Sequence, residues 1–80
     1  MIIKEADNFK KAKKKIDRSY FDRTLKLVKK VVSNPEIGKP MTGSRKGTRE
    51  VYLKPFRLSY VYDKKEDVLI FLDIYNKDRQ

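Results

Sequence analysis

The chain has 80 residues, with 21 lysines and arginines against 11 aspartates and glutamates, and its formal net charge is +10. It contains no cysteine and no histidine, which excludes disulfides, thiolate zinc sites and catalytic triads built on an imidazole. The length predicts one domain over residues 1–80 with a small core. The longest apolar run, 68–72, is too short for a membrane span, and the first residues lack the apolar stretch of a secretory signal. We therefore expect a cytoplasmic protein that binds no membrane.

The positive charge is concentrated in the first two thirds of the chain. Residues 1–34 carry 11 basic and 4 acidic side chains, residues 35–57 carry 6 and 2, and residues 58–80 carry 4 and 5. Such a distribution attracts polyanions and steers their approach. An acidic protein would be attracted by the same charges, so composition leaves both kinds of partner open.

The first part of the chain predicts a strand followed by two helices. Residues 1–5 are predicted to form a short strand, after which Asp7 or Asn8 can cap a first helix. A longer helix is predicted to begin at Asp17 or Ser19, because apolar residues then recur at helical spacing. The following Asn-Pro pair ends it, since proline disfavours helical geometry in the residue before it.

The second part predicts a loop and three strands. Residues 35–48 hold all three glycines and two of the three prolines, as is typical of a loop. Apolar and polar residues then alternate over 50–54 and 56–62, a polar turn occupies 63–67, and 68–75 is apolar on both faces like a central strand. The predicted fold class is α+β, with the order β-α-α-β-β-β and a mostly antiparallel sheet packed against a two-helix hairpin.

Four segments carry a resemblance to a known family. They are the loop 34–43 (NPEIGKPMTG) and the strand segments 49–53 (REVYL), 56–60 (FRLSY) and 68–77 (VLIFLDIYNK). In this order and at these separations, they resemble the RelE/ParE toxins of bacterial and archaeal toxin–antitoxin modules. The resemblance covers nearly the whole chain.

The resemblance implies a RelE-like fold with a concave basic face and no cofactor or metal. RelE-like members cut mRNA in the decoding site of the ribosome, whereas ParE-like members share the fold and inhibit DNA gyrase. Members of both types are held inactive by an antitoxin that wraps around them. The expected partners are therefore an acidic antitoxin in a hetero-oligomer, and the ribosome with its mRNA.

Arg57 is the first candidate for catalysis. It lies in a segment rich in aromatic and branched residues, where a charge is unusual without a partner. The resemblance matches Arg57 to the family's strand arginine, which implies contact with the scissile phosphate through a rigid, permanently charged guanidinium. The structural alternative is a salt bridge to Glu50 or Asp73 across the sheet.

The other candidate catalytic residues are Lys77, Tyr75 and Glu50. Lys77 and Tyr75 lie at the end of the last strand, where the resemblance implies basic or aromatic active-site residues; the alternative for Lys77 is a polar chain end. Because the chain lacks histidine, the proton acceptor has to be Glu50, Tyr75 or a lysine. Free lysine, with a pKa of about 10.4, is a poor base unless neighbouring cations lower that pKa.

A further set of basic side chains is predicted to hold the RNA backbone. Some ribonucleolytic relatives have two lysines in the second strand, and this chain departs from them with Thr48 and Glu50 near those positions. Its aromatic residues could stack bases, although aromatics at a period of two more commonly belong to a core. The predicted RNA-binding residues are Arg45, Lys46, Arg49, Lys54 and Arg79; the aromatic residues are Tyr52, Phe56, Tyr60 and Tyr62.

The leading functional hypothesis is a ribosome-dependent endoribonuclease toxin, in which a 2′-hydroxyl attacks the adjacent phosphate. The alternatives are a ParE-like inhibitor of gyrase without catalysis, and an inactive basic binding module of the same fold. The general base, the codon preference and the antitoxin family stay open at this stage.

Overall fold

A computed structural model describes residues 1–79, with Arg79 described by its backbone alone. Two helices lie on one face of a five-stranded sheet, and three short 3₁₀ turns complete the fold, at Arg18–Tyr20, Gly43–Arg45 and Lys77–Arg79. The helices are α1 (Asp7–Lys14) and α2 (Phe21–Ser33); the strands are β1 (Ile2–Glu5), β2 (Lys39–Pro40), β3 (Arg49–Leu53), β4 (Phe56–Asp63) and β5 (Val68–Asn76). Neither helix is long and apolar enough to cross a membrane.

The sheet order is β1-β5-β4-β3-β2. β1 pairs with β5 in parallel, and the other three pairings are antiparallel, so the predicted mostly antiparallel α+β fold is confirmed. β5 lies between β1 and β4, which explains why it is apolar on both faces. The pairing of β4 with β5 contains an irregularity at Ser59/Tyr60.

Three local predictions need correction. The first helix has Ala6 at its N-cap without a side-chain cap bond, and Asp7 lies inside the first turn. The loop predicted over 35–48 contains the two-residue strand β2, so the strand count is five. This strand could not be predicted because it has only two residues and one of them is proline, which within sheets is confined mainly to edge strands. The predicted start of the longer helix also needs correction: the Asp17 carboxylate accepts a bond from the Ser19 N–H at 2.9 Å and caps the 3₁₀ turn Arg18–Tyr20, whereas α2 begins at Phe21 without a side-chain cap.

The core lies between the helices and one face of the sheet. On that face Val51, Leu58 and Ile74 are neighbours across three strands and are buried. The rings of Phe9 on α1 and Phe71 on β5 stack with their centroids 5.2 Å apart. Successive residues of a strand point to opposite faces, so the residues beside this buried row point to the other face of the sheet, which the helices leave open.

Candidate active site

The register of the sheet aligns two predicted catalytic residues and one aromatic residue in a single row across three strands. Tyr52 on β3 pairs with Arg57 on β4, which in turn pairs with Tyr75 on β5. This row is next to the buried row and therefore lies on the open face. The side chain of Arg57 is 33% exposed, so its guanidinium is accessible to a ligand while its stem is held by the sheet.

Glu50 lies at the centre of this face and is the buried charged residue among the described side chains, with 8% exposure. One of its oxygens, Oε2, accepts a bond from Arg45 Nη1 at 2.8 Å, and the other, Oε1, accepts from Arg57 Nη1 at 3.4 Å. The Tyr75 hydroxyl lies 3.4 Å from Oε2 and donates to it. A buried carboxylate needs such partners, and this one receives two guanidiniums and one phenol. The structural alternative considered for Arg57, a contact with Glu50, is thus present.

Arg45 reaches this face from the 3₁₀ turn before β3. The neighbouring Tyr75 hydroxyl, and after it the negative charge of Glu50, raise the pKa of the Arg45 guanidinium above its ordinary value. The Arg45 side chain is 56% exposed, so it combines a fixed inner contact with a solvent-facing charge. Arg45 was predicted to hold an RNA backbone, and the fold places it beside the candidate catalytic residues.

Tyr52 and Lys77 complete the group. The Tyr52 ring centroid lies 5.9 Å from Arg57 Cζ and 5.6 Å from Lys77 Nζ, within the range of cation–π contacts. The backbone N–H of Lys77 donates to the carbonyl of Pro55 at 2.8 Å, which fixes the start of the last turn against the β3–β4 connection. We call the six residues the open-face cluster: Arg45, Glu50, Tyr52, Arg57, Tyr75 and Lys77.

The open-face cluster contains three cations and one carboxylate, so its formal charge is positive. The Arg57–Glu50 contact is long for a charge-assisted hydrogen bond, and an anion with better geometry can replace it. Chemically, this arrangement can bind a phosphate, neutralise charge that develops on it, and accept or donate a proton through the carboxylate or the phenol.

The remaining predicted RNA-binding residues lie apart from the cluster. Arg49 shares a row with the buried Tyr60, and its Nη1 donates to the carbonyls of Glu36 and Gly38 at 2.9 and 2.8 Å. Lys46 caps the 3₁₀ turn after Arg45, and Lys54 lies exposed in the β3–β4 connection. The side chain of Arg79 lies outside the described part of the chain.

The aromatic residues divide between the two faces. Phe56 and Tyr60 are buried in the core and Tyr62 packs against it, as their period of two indicates. Tyr52 was expected in the core on the same ground, and that expectation is wrong: it lies on the open face with 48% exposure. The alternation along β3 indicates this position: Tyr52 is two residues from the charged Glu50 and therefore shares its face, whereas Val51 points to the other face.

Tyr60 holds the segment between α2 and β3 in place through two hydrogen bonds. Its hydroxyl donates to the carbonyl of Pro35 and accepts from the N–H of Gly38, both at 2.8 Å. Burial raises the pKa of Tyr60 above its ordinary value, because the phenolate would have to form away from water. Together with Arg49, this contact sets the position of the segment that leads to β2 and Arg45.

On the helix side, the structure has an apolar groove between α1, α2 and the strands β1 and β5. Its volume is about 600 Å³, and its walls include Ile3, Phe21 and Leu25, all exposed large apolar residues. Lys10 and Arg18 stand among the residues that line it. The groove and the open-face cluster lie on opposite sides of the sheet, so they can bind different partners.

Comparison with known proteins assigns the family. Residues 4–80 match the family model described as ParE toxin of type II toxin–antitoxin system, parDE. No curated protein matches the sequence. Among solved structures, the chain is similar to the toxin–antitoxin complex RelBE2 from Mycobacterium tuberculosis, with a TM-score of 0.83, 16% identity, and coverage of 94% of this chain and 95% of that one.

Two further structures agree in fold. The isolated RelE toxin of E. coli matches with a TM-score of 0.80 and 16% identity over 99% of this chain and 86% of that one. The archaeal RelE–RelB complex from Pyrococcus horikoshii matches with a TM-score of 0.68 and 19% identity over 99% and 97%. At these identities the likeness establishes a RelE-like fold. Because the family model covers nearly the whole chain, the chain belongs to the family of ParE toxins of type II toxin–antitoxin systems.

Proposed function

We propose that this toxin is a ribosome-dependent endoribonuclease that cleaves mRNA at the open-face cluster. The observation that carries the proposal is the convergence of Arg45 and Arg57 on Glu50, with the Tyr75 hydroxyl on the same carboxylate. A surface that only binds a protein has no need of two arginines, a carboxylate and a phenol that share one point. A phosphate undergoing attack by a neighbouring hydroxyl needs cations that stabilise the developing charge and a well-oriented proton acceptor, and this arrangement offers both.

The two arginines serve as the phosphate-binding groups. Arg57 Nη1 lies 3.4 Å from the Glu50 carboxylate, farther than Arg45 Nη1 at 2.8 Å. The Arg57 guanidinium is therefore the one that turns more readily towards a non-bridging phosphate oxygen. Arg45 has the larger solvent exposure and can contact the same phosphate or the next one. Charge increases on the phosphate as the 2′-oxygen attacks, and fixed guanidiniums stabilise that charge without reorganising.

Glu50 is the proton acceptor in this mechanism. It takes the proton of the 2′-hydroxyl while the 2′-oxygen forms a bond to phosphorus and the bond from phosphorus to the 5′-oxygen breaks. When Arg57 turns to the phosphate, the Glu50 oxygen that it contacted, Oε1, loses that hydrogen bond and is free to accept the proton. Binding of the phosphate therefore exposes the acceptor oxygen at the time when it is needed.

Lys77 is the proton donor to the leaving 5′-oxygen. Its ammonium nitrogen lies 5.6 Å from the ring centroid of Tyr52, which places this cation beside the row that contains Arg57. The products are a 2′,3′-cyclic phosphate and a free 5′-hydroxyl, so protons and bonds balance. Tyr75 orients Glu50 through its hydroxyl. The ribosome supplies the orientation of the mRNA, which a chain this small cannot provide alone.

The test uses purified toxin and translating ribosomes. We expect new mRNA 5′ ends with the wild-type toxin, and their loss with Arg57→Ala. Arg23→Ala is a matched control, since Arg23 also makes one side-chain hydrogen bond, to the Lys54 carbonyl at 3.0 Å, and lies 5.8 Å from an aromatic ring, that of Tyr20. Intact mRNA under conditions where a control toxin cuts it would reject the proposal.

The second candidate is inhibition of DNA gyrase without catalysis. Two observations favour it: the family model that matches is that of ParE toxins, and Glu50 stands near a position where the ribonucleolytic pattern has lysine. A supercoiling assay separates the two functions. An mRNA nuclease leaves supercoiling unchanged, whereas a gyrase inhibitor lowers it and leaves mRNA intact.

The apolar groove on the helix side is the surface that we assign to the antitoxin. Phe21 is 61% exposed there, which is costly in water and expected of a site covered by a partner. Lys10 and Arg18 among its lining residues favour an acidic amphipathic helix over a basic one. The high positive charge of the whole chain acts in the same direction.

A further inference from the structure

We propose that Tyr52 is a stacking platform for a nucleobase of the RNA, the base of the nucleotide whose phosphate is held by Arg57. This inference rests on the proposed endoribonuclease function and adds a substrate contact to it. The inference comes from the location of the ring within the open-face cluster.

Tyr52 is in a setting that an aromatic ring does not occupy for its own stability. It is 48% exposed on an open sheet face, and its neighbours across the sheet and beyond are the charged groups of Arg57 and Lys77. Within residues 1–79, its hydroxyl has no hydrogen-bond partner, so contacts with the ring alone position the side chain. An exposed ring on a rigid strand beside cations is the combination with which single-stranded nucleic acids are bound.

The spacing between ring and guanidinium suits one nucleotide. Arg57 Cζ lies 5.9 Å from the ring centroid, and Lys77 Nζ lies 5.6 Å from it. Only a ribose separates a base from its phosphate, so a phosphate on Arg57 brings the adjacent base to the side of Tyr52. Both cations lie over the ring at cation–π distance, so a base can stack on the ring once Arg57 turns from it to the phosphate.

Stacking at Tyr52 would serve the reaction itself. In-line attack requires the 2′-oxygen, the phosphorus and the leaving oxygen to be aligned, and this depends on the orientation of the ribose. A base held by Tyr52 and a phosphate held by Arg57 fix the ribose from both of its ends. Every base has a π-face, so such a contact accepts all four bases and favours those that stack most strongly.

The competing explanation is that Tyr52 only positions Arg57 and Lys77 through cation–π contacts. The two explanations differ in one respect: stacking needs a base on the RNA, and positioning does not. The experiment is therefore a cycle of two variants and two substrates. Ribosomes are programmed with a synthetic mRNA that carries either adenine or an abasic ribonucleotide at the nucleotide 5′ to the mapped cleavage site, where the 2′-hydroxyl is retained.

We expect Tyr52→Leu to slow single-turnover cleavage of the adenine mRNA about five- to a hundredfold, the range found for loss of a base–aromatic stack. On the abasic mRNA, the ratio of the wild-type rate to the Tyr52→Leu rate should be at least about fivefold smaller than on the adenine mRNA, because there is no base to stack. Tyr52→Phe keeps the ring and should cleave the adenine mRNA like the wild type. A melting curve confirms that each variant is folded.

Two results overturn the inference, and they can be told apart. If the wild type cleaves and Tyr52→Leu is equally impaired on both mRNAs, or unimpaired on the adenine mRNA, the stacking role is rejected and the endoribonuclease function stands. If the wild type cleaves neither mRNA while a control toxin cleaves the adenine one, the proposed function fails, and the stacking role fails with it.

Discussion

Replacing Arg57 by alanine distinguishes a phosphate-binding residue from one kept for its salt bridge. The structure shows the bridge to Glu50, so the question is how much of the stability depends on it. The contact is 3.4 Å long, the Arg57 side chain is 33% exposed, and Glu50 keeps its shorter bond from Arg45 at 2.8 Å and its contact with Tyr75 when Arg57 is removed. The carboxylate is therefore not left as an unpaired buried charge.

These distances set the magnitude. A long, partly solvated charge contact contributes about 1 kcal/mol or less, whereas removing the sole partner of a buried charge costs about 3–5 kcal/mol. Glu50 keeps other partners when Arg57 is removed, so the smaller of these two costs applies. We expect Arg57→Ala to lower the free energy of unfolding by about 1 kcal/mol. Loss of one preorganised donor to a developing anion typically costs about 10²–10³ in rate, and we expect a loss of that size in mRNA cleavage.

Both quantities are measured on the same preparations. Urea unfolding followed by circular dichroism gives the free energy of unfolding, and single-turnover cleavage on programmed ribosomes gives the rate. Arg23→Ala controls for the general loss of one positive charge and should keep full cleavage activity. A destabilisation of about 3 kcal/mol or more, or cleavage within about threefold of the wild type, would refute the reasoning, because Arg57 would then act mainly through the fold.

Four other predictions concern separate parts of the molecule. Glu50→Gln should lower the cleavage rate about 10²- to 10⁴-fold with little change in ribosome binding, and equal loss of both would reject it as the base. Gly38→Ala should destabilise by about 1–3 kcal/mol in urea unfolding, because a Cβ there would lie 2.5 Å from the Tyr60 hydroxyl; an unchanged midpoint would contradict this. Tyr60→Phe should cost about 1–3 kcal/mol at pH 7. Its pKa is raised from 10.0, so the wild type loses stability as the pH rises above that value and the deficit should narrow there; a constant deficit would argue against it. Phe21→Asp should weaken co-purification with the antitoxin, and undiminished binding would reject the helix-side groove as the antitoxin surface.

The fold could be predicted from the sequence because its patterns are long and regular. The helical stripe of α2 and the alternation in β4 each extend over many residues, and the interior of the protein follows them. β2 escaped prediction because it has two residues and exists only through its pairing with β3. Such a strand is specified by its partner and has no pattern of its own.

Residues of the candidate site could be proposed from the sequence, but their arrangement in space could not. Arg57, Tyr75 and Glu50 were proposed from residue type and family resemblance, and the register then places them on one face. That Arg45 would meet Glu50 depends on a 3₁₀ turn in the preceding loop, and loop conformation leaves little trace in a sequence. The exposed position of Tyr52 could have been predicted from the alternation of residues along β3. That prediction requires giving strand alternation more weight than the usual burial of aromatic residues.

In the mechanism that we propose, the Arg57–Glu50 salt bridge of the free toxin and the phosphate site of the RNA-bound toxin are two states of one arrangement. In a chain with a net charge of +10, two arginines would not converge on the open face without a negative group between them. Glu50 is that group in the free toxin, and it keeps both guanidiniums directed at one point before any RNA arrives. A phosphate that enters competes for the same donors with better geometry, since it offers several oxygens and the carboxylate offers two. The arginine that leaves Glu50 thereby stabilises the substrate, and the carboxylate it leaves becomes free to accept the proton.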